Sequence, residues 1–313
     1  MELERVAVIK LGSLGDFVQA LGPFRAIRRR HAGAHITLIT TQPYVRLARA
    51  TRYFDAVWGD GRPRGLKGLI KLLWRLRKSR FNRVYDLQTS DRSSAYFWAL
   101  GPFFPAWSGI VPLSTLFHGN RGRVQMHTID RQAEQLAIAG VHNVWPPDVG
   151  WADADLARLD LPTRFAVLVP GGSAHRPEKR WPAAQYAVLA NALVGAGFTP
   201  VILGTGTEKK LADEIRAACP SARSLIDQTS FEEIITLGRS ATVAIGNDTG
   251  PMHLLAVAGT PCLVLFSSAS DPNRCAPRGY LVETLQVPDL AELVPAEVLT
   301  RVSDLLTTPV AVH

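Results

Sequence analysis

Short apolar runs alternate with helical patterns along the whole 313-residue chain. Runs rich in β-branched residues predict strands, and apolar positions spaced three and four residues apart predict the helices between them. The predicted strands are 5–10, 35–40, 54–58, 82–87, 165–169, 199–203, 222–225, 242–245 and 261–266. The predicted helices are 16–31, 43–49, 66–80, 130–139, 183–195, 208–218, 231–238, 249–258 and 290–306, together with a short acidic helix after residue 150. Residues 101–127, rich in Pro, Gly and aromatic residues, predict no element.

This alternation indicates an α/β protein whose parallel sheets carry helices on both faces. The length exceeds the ~250–300 residues at which a single core stops growing, so two domains are expected. We place Rossmann-like domains at 1–155 and 156–313, joined by a turn-rich stretch. The last helix is a candidate for packing back on the first domain.

Composition excludes several classes of protein. The chain is 47% hydrophobic and 20% charged, as an ordinary globular protein is. No apolar run reaches the ~18 residues of a membrane span, and the N-terminus lacks a signal-peptide pattern. Three cysteines without CxxC spacing indicate neither a disulfide scaffold nor a metal site. We therefore expect a cytoplasmic protein without a metal cofactor.

The net charge of +8 is unevenly distributed, because residues 1–90 hold 18 Lys+Arg and 6 Asp+Glu, which is +12. Such a basic segment predicts an anionic partner: phosphate groups, a membrane surface or nucleic acid. The sequence contains no nucleic-acid recognition motif, so nucleic acid is the least favoured of these three candidate partners. On the helix near 64–80 one cationic stripe is predicted, with the leucines largely on other faces: Arg64, Lys67, Lys71, Arg75 and Lys78. A solvated helix face is the ordinary alternative to membrane docking, which gains about 1 kcal/mol per basic residue.

The first segment with candidate chemistry is KLGSLGD, residues 10–16. Its two glycines permit a tight turn and close approach of a ligand. Asp16 falls at the start of a helix, where a carboxylate is stabilised by the helix dipole. A helix cap alone would explain it equally well. The segment does not match the GxGxxG pattern of dinucleotide-binding loops, so the sequence gives little support to a dinucleotide site here.

The second segment, 169–182, follows the first strand of the second half. Gly171 and Gly172 form a turn at the carboxyl end of that strand, where open α/β sheets bind ligands. The cations Arg176, Lys179 and Arg180 follow it. A ligand loop is favoured over a surface loop with solvated charges.

The third segment, 244–258, is a buried strand that breaks into a helix. The main-chain N–H groups of Thr249 and Gly250 would point out of the helix N-terminus, ready to bind an anion. His253 lies one turn further, either as a ligand residue or as an ordinary core histidine.

Together these segments resemble the lipopolysaccharide heptosyltransferase family, glycosyltransferase family 9. The resemblance is carried by VIKLGSLGDFVQALGPFRAIRRRHAGAHITLIT (8–40), GGSAHRPEKRWP (171–182) and GNDTGPMHLLAVAGTPCLVLF (246–266), and it spans essentially the whole chain. It implies a GT-B fold, with two Rossmann-like domains facing a central cleft. The domain 1–155 would bind the acceptor and 156–313 the nucleotide sugar.

The resemblance also implies roles for single residues. Asp16 would be the general base, beside Ser13 and Gly15 as acceptor contacts. Lys179 would offset the charge of the diphosphate, and Asp248 would hold sugar hydroxyls. The remaining donor contacts would be Gly171, Gly172, Glu208, Thr249, Gly250 and His253. No metal is needed for such an arrangement, because protein cations and helix N–H groups stabilise the diphosphate.

The function implied is an inverting transfer of a sugar, foremost heptose from ADP-heptose, to a hydroxyl of a lipopolysaccharide core acceptor. That acceptor is a phosphorylated glycolipid on the inner face of the cytoplasmic membrane, which would make the protein a peripheral one. The loop after residue 266 reads SSASDPNRCAP where the family usually has Gly-Pro-Thr/Ser, so the donor's identity stays open. Two alternatives are a nucleotide-sugar isomerase or epimerase on the same fold, and a non-enzymatic binder of anionic surfaces.

Overall fold

The computed structural model describes residues 3–102, 104–173 and 175–307. Contacts divide the chain into two units, Met1–Trp151 and Ala152–His313. Each unit contains a six-stranded parallel sheet with helices in the connections, so the predicted α/β class with two Rossmann-like sheets is confirmed.

The first unit alternates strands and helices from its start. Its strands are β1 (Arg5–Ile9), β2 (His35–Ile39), β3 (Ala56–Trp58), β4 (Arg83–Asp86), β5 (Ala106–Gly109) and β6 (Leu116–Phe117). Its helices are α1 (Leu14–Gln19), α2 (Leu21–Arg30), α3 (Val45–Ala50), α4 (Gly65–Lys78), α5 (Asp91–Ala99) and α6 (Thr128–Ile138). The strand order is β3-β2-β1-β4-β5-β6.

The second unit repeats this plan. Its strands are β7 (Phe165–Val169), β8 (Thr199–Ile202), β9 (Arg223–Ser224), β10 (Val243–Asn247), β11 (Cys262–Phe266) and β12 (Val282–Gln286). Its helices are α7 (Ala183–Gly195), α8 (Lys209–Ala218), α9 (Phe231–Ser240), α10 (Gly250–Ala258), α11 (Pro272–Cys275) and α12 (Pro295–Thr307). The strand order is β12-β11-β10-β7-β8-β9.

Both sheets reverse their winding direction at the centre, between β1 and β4 and between β7 and β10. The central strands are almost wholly apolar because they are covered on both faces, as parallel sheets require. All five residues of β7, β10 and β11 are buried. Ligands of open α/β sheets bind at the carboxyl ends of strands beside such a reversal. The structure therefore directs attention to the loops after β1, β4, β7 and β10.

The structure differs from the sequence prediction in several elements. The single helix predicted at 16–31 is two helices that meet at Ala20. Pro23 explains the break, because it cannot donate to the Gln19 carbonyl and its ring would clash with it. Helix α5 and strands β5, β6 and β12 were not predicted. The acidic helix expected after residue 150 is one 3-10 turn, Ala157–Leu159.

The last helix, α12, packs its apolar face into the core of the second unit. Val298, Val302 and Leu305 are buried there together with side chains of α7 and β11. Within residues 3–102, 104–173 and 175–307 no helix combines the length and the apolar character that crossing a membrane demands.

Candidate functional site

The loop after β1 holds Asp16 in a fixed position. Gly12 has φ +108°, and a Cβ there would lie 2.5 Å from Cε2 of Tyr44, so only glycine fits. Ser13 precedes α1, and Asp16 Oδ2 accepts hydrogen bonds from the Ser13 N–H (3.3 Å) and from Ser13 Oγ (3.2 Å). Gly15 is buried in the first turn of α1. The carboxylate thus caps the start of the helix, and its role as a base stays a prediction.

Two buried charged groups lie at the ends of the neighbouring central strands. Lys10 follows β1, and its Nζ donates to the Leu87 carbonyl over 3.1 Å. Asp86 ends β4, and its Oδ1 accepts from the N–H groups of Gln88 (3.1 Å) and Thr89 (2.9 Å). Asp86 Oδ2 is buried without a hydrogen-bond partner among the residues described. The Lys10 bond links the residue after β1 to the loop after β4, and the Asp86 bonds stabilise that loop internally.

Burial dominates the electrostatics of this pair. It raises the pKa of Asp86 to about 6, although the hydrogen bonds from Thr89, Ser93 and Gln88 and the charge of Lys10 oppose the shift. Burial also lowers the pKa of Lys10, against the attraction of Asp16 and Asp86. Sequence reasoning assigned no role to Lys10 or Asp86. The available signal was a charged residue that closes an otherwise apolar strand.

Arg123 brings a further cation to the end of β4. Its NH2 group donates to Thr89 Oγ1 over 3.0 Å, and its Nε is buried without a partner in the described part of the chain. Burial and the nearby charge of Arg131 lower the pKa of this guanidinium. Arg123 comes from the stretch 101–127, for which the sequence predicted no element and no role.

In the second unit the predicted residues Lys179 and Asp248 form an ion pair. Lys179 Nζ lies 2.7 Å from Asp248 Oδ2, and the two side chains are only 14% and 10% exposed. Ser270 Oγ donates to the same oxygen over 2.9 Å. The pair therefore joins the loops after β7, β10 and β11 at the carboxyl ends of their strands. Ser270 was not among the predicted residues, since its loop departs from the family pattern.

Buried Asn247 organises the loops that carry this pair. Its Nδ2 donates to the carbonyl groups of Pro170 (2.9 Å) and Gly171 (3.1 Å). Its Oδ1 accepts from the Trp181 N–H (3.1 Å) and the Tyr186 hydroxyl (3.2 Å). One side chain thus fixes both ends of the loop in which Lys179 lies. Sequence reasoning quoted Asn247 in its motif but gave it no role.

The glycine turn after β7 packs closely against the predicted ribose contact, Glu208. A Cβ on Gly171 would lie 2.8 Å from Glu208 Cγ, and Arg180 donates to the Gly172 carbonyl over 2.5 Å. Glu208 Oε2 accepts from Thr205, and Oε1 accepts from the Thr207 hydroxyl. Burial disfavours the charged carboxylate, but these hydrogen bonds outweigh it and hold the pKa of Glu208 below its usual range. In this structure Glu208 stabilises its own turn.

Helix α10 begins beside the ion pair. Thr249 is its N-cap and Gly250 its first residue, so the main-chain N–H groups of these two residues, at the start of the helix, lie next to Asp248 along the chain. His253 is buried in that turn, with 6% of its surface exposed, and both interpretations of it stay open. Within the described residues no group of three or more His, Cys, Asp or Glu is arranged to hold a metal ion.

Comparisons with known proteins show which family and which structures this chain is similar to. The family glycosyltransferase family 9 (heptosyltransferase) matches residues 69–292. Lipopolysaccharide heptosyltransferase 2 of Salmonella typhimurium is 32% identical over 90% of this chain and 88% of its own length. The glycosyl transferase family 9 structure from Veillonella parvula has a TM-score of 0.81 at 19% identity, covering 99% of both chains. The E. coli ADP-heptose LPS heptosyltransferase II structure has a TM-score of 0.75 at 21% identity, covering 96% of this chain and 98% of that one.

Proposed function

The chain belongs to glycosyltransferase family 9, the heptosyltransferase family, and on that premise we propose that it transfers heptose from ADP-heptose to a hydroxyl of a lipopolysaccharide core acceptor, with inversion at the anomeric carbon. The E. coli structural neighbour is an ADP-heptose LPS heptosyltransferase, and the Salmonella relative is a lipopolysaccharide heptosyltransferase. The observation that carries the proposal is the Lys179–Asp248 pair beside the start of α10.

The second unit would bind the donor. Lys179 and the N–H groups of Thr249 and Gly250 at the start of α10 supply positive charge for the diphosphate, whose negative charge grows as it leaves. Asp248 and Ser270 supply oxygen atoms for sugar hydroxyls. Because Asn247 holds the surrounding main chain, these groups are positioned before the donor arrives.

Asp16 would activate the acceptor. Both of its described hydrogen bonds involve Oδ2, so we assign Oδ1 to the acceptor proton. As the acceptor oxygen bonds to the anomeric carbon, that proton passes to Asp16 and the bond from carbon to the phosphate oxygen breaks. The leaving group is ADP. An attack from the face opposite the leaving group gives inversion.

The test couples donor binding with transfer. Calorimetry with ADP, GDP and UDP should show selective binding of ADP, which Asp248→Asn and Lys179→Met weaken. Asp16→Asn should lower kcat of transfer about 10²–10⁴-fold, the usual contribution of a general base, and leave the Kd of ADP unchanged. Asp91→Asn is the matched control, since it removes an exposed carboxylate from the same unit.

Three results would contradict the proposal. They are an Asp16→Asn enzyme with wild-type kcat, preference for another nucleotide, and isomerisation of the donor in the absence of acceptor. The last would favour the epimerase alternative, because an epimerase requires no acceptor hydroxyl.

A further inference from the structure

Helix α4 of the first unit presents an apolar line to solvent. Leu72 and Leu76 pack into the core, but Leu66, Ile70 and Trp74 are 72%, 57% and 61% exposed. Residues four apart lie above one another on a helix, so these three form one continuous line. The sequence prediction placed the apolar residues of this helix largely away from its cationic stripe and did not place Trp74.

A basic line runs beside the apolar one. Lys67, Lys71 and Lys78 are exposed at positions rotated by about 100° or less from their apolar neighbours. Lys78 Nζ lies 4.8 Å from the centroid of the Trp74 ring. The prediction that Arg75 belongs to the cationic stripe is wrong, because its guanidinium carbon lies over the Trp58 ring, 3.7 Å from the ring centroid.

Two further exposed aromatic side chains belong to the part of this unit that is hydrogen-bonded to α4. Arg77 lies on the same side of α4 and donates to the Gly101 carbonyl over 3.3 Å. This bond attaches α4 to the segment after α5. Trp98 near the end of α5 is 53% exposed, and Phe104 in that segment is 46% exposed. The rings of these two residues lie 6.5 Å apart, edge to face.

We propose that this surface, the α4 surface (Leu66, Lys67, Ile70, Lys71, Trp74, Lys78, Trp98 and Phe104), docks on an anionic lipid bilayer. Exposed Leu, Ile and Trp beside lysines are the composition of helices that lie in a membrane interface, with apolar residues among the acyl chains and lysines at the head-group phosphates. A solvated helix face gains nothing from exposing three large apolar side chains in a line. Nucleic acid would use the lysines but leave the apolar line uncovered.

The test is flotation of the full-length protein with vesicles. Vesicles of phosphatidylglycerol and phosphatidylcholine in equal parts should bind the protein, and pure phosphatidylcholine should bind it far less. Lys67→Gln/Lys71→Gln should weaken binding about 30-fold, since each lysine near an anionic surface contributes about fivefold. Lys209→Gln/Lys210→Gln is the matched control, because it removes the same charge from exposed positions of the second unit.

The apolar contribution is tested separately. Ile70→Gln/Trp74→Gln should weaken vesicle binding at least tenfold, whereas Tyr280→Gln, at a 61% exposed position of the second unit, should not. Both variants change exposed side chains, so circular dichroism should show the wild-type fold. Activity on a soluble acceptor should be unchanged, which separates this proposal from the proposed function.

Four outcomes would overturn the proposal. The first two are absence of binding to the anionic vesicles and equal loss in both lysine variants, the latter indicating general charge attraction. The third is full vesicle binding by Ile70→Gln/Trp74→Gln. The fourth is a wild-type dimer in sedimentation equilibrium that this variant dissociates while vesicle binding persists, because the surface would then serve a second copy of the chain.

Discussion

At the scale of single residues, Asp86 links stability to pH. Burial raises its folded-state pKa to about 6 from 3.8, so the folded protein retains this proton at a pH where the unfolded chain has lost it. The group therefore destabilises the fold as pH rises from about 4 to about 6, by on the order of 3 kcal/mol, and has no such effect below both values. Asp86→Asn should remove this component.

Urea denaturation of both proteins at pH 4.5 and pH 7.5 measures the effect. The free energy of unfolding of Asp86→Asn minus that of the wild type should increase between the two conditions. Asp91→Asn again serves as the control, since it makes the same chemical change at an exposed position nearby. A difference for Asp86→Asn that does not change with pH would show that the buried carboxyl group does not titrate in this range.

Site residues can be predicted from the sequence when they belong to one local motif, but not when strand pairing alone brings them together. Lys179 and Asp248 belong to local motifs, and the structure brings them within 2.7 Å of each other. Lys10 and Asp86 were not predicted to be near each other, because only the pairing of β1 with β4, 77 positions apart along the chain, brings them together. The same holds for Ser270, whose contact with Asp248 arises from the adjacency of β10 and β11.

At the scale of elements, Asn247 connects β10 to the loop after β7. Replacing it with Ala leaves two buried carbonyl groups and the Trp181 N–H without their partner, at about 1–3 kcal/mol for each group. Tyr186→Phe removes one hydroxyl from the same network and should cost about 1 kcal/mol. We expect Asn247→Ala to raise the Kd of ADP as well, because the loop with Lys179 is released.

Thermal unfolding and calorimetry on the same samples test this role. Asn247→Ala should remain folded at 10 °C, and there its ADP affinity should fall at least tenfold. Tyr186→Phe should bind ADP as the wild type does. Equal ADP affinity in all three proteins would mean that Asn247 contributes to stability without positioning the loop.

The elements themselves divide into those that sequence patterns reveal and those that they do not. Strands β7, β10 and β11 were predicted because they are wholly buried and therefore apolar, except for Asn247 at the end of β10. Strand β12 was missed, since only Leu285 of its five residues is buried and no alternation results. The bounds of α4 were predicted within two residues. Which of its apolar residues stay exposed depends on what the sheet covers, and no local pattern contains that information.

At the scale of the whole molecule, the donor groups and their framework lie within one unit. Lys179, Asn247, Asp248 and Ser270 contact one another or main chain of the second unit. The start of that unit is also bonded inside it, because the Ala154 N–H donates to Thr236 Oγ1 over 3.1 Å. Its 162 residues surround a core of their own, which is sufficient size for an independent domain.

We therefore expect residues 152–313 to fold alone and to bind ADP with a Kd within about threefold of the full chain. Circular dichroism, one cooperative thermal transition and calorimetry with ADP would check this expectation, with Asp248→Asn in the fragment as the control for site-specific binding. A fragment that folds but has lost ADP affinity would mean that residues before 152 contribute directly to the donor site. In that case the positioning by Asn247 would be necessary for donor binding but insufficient.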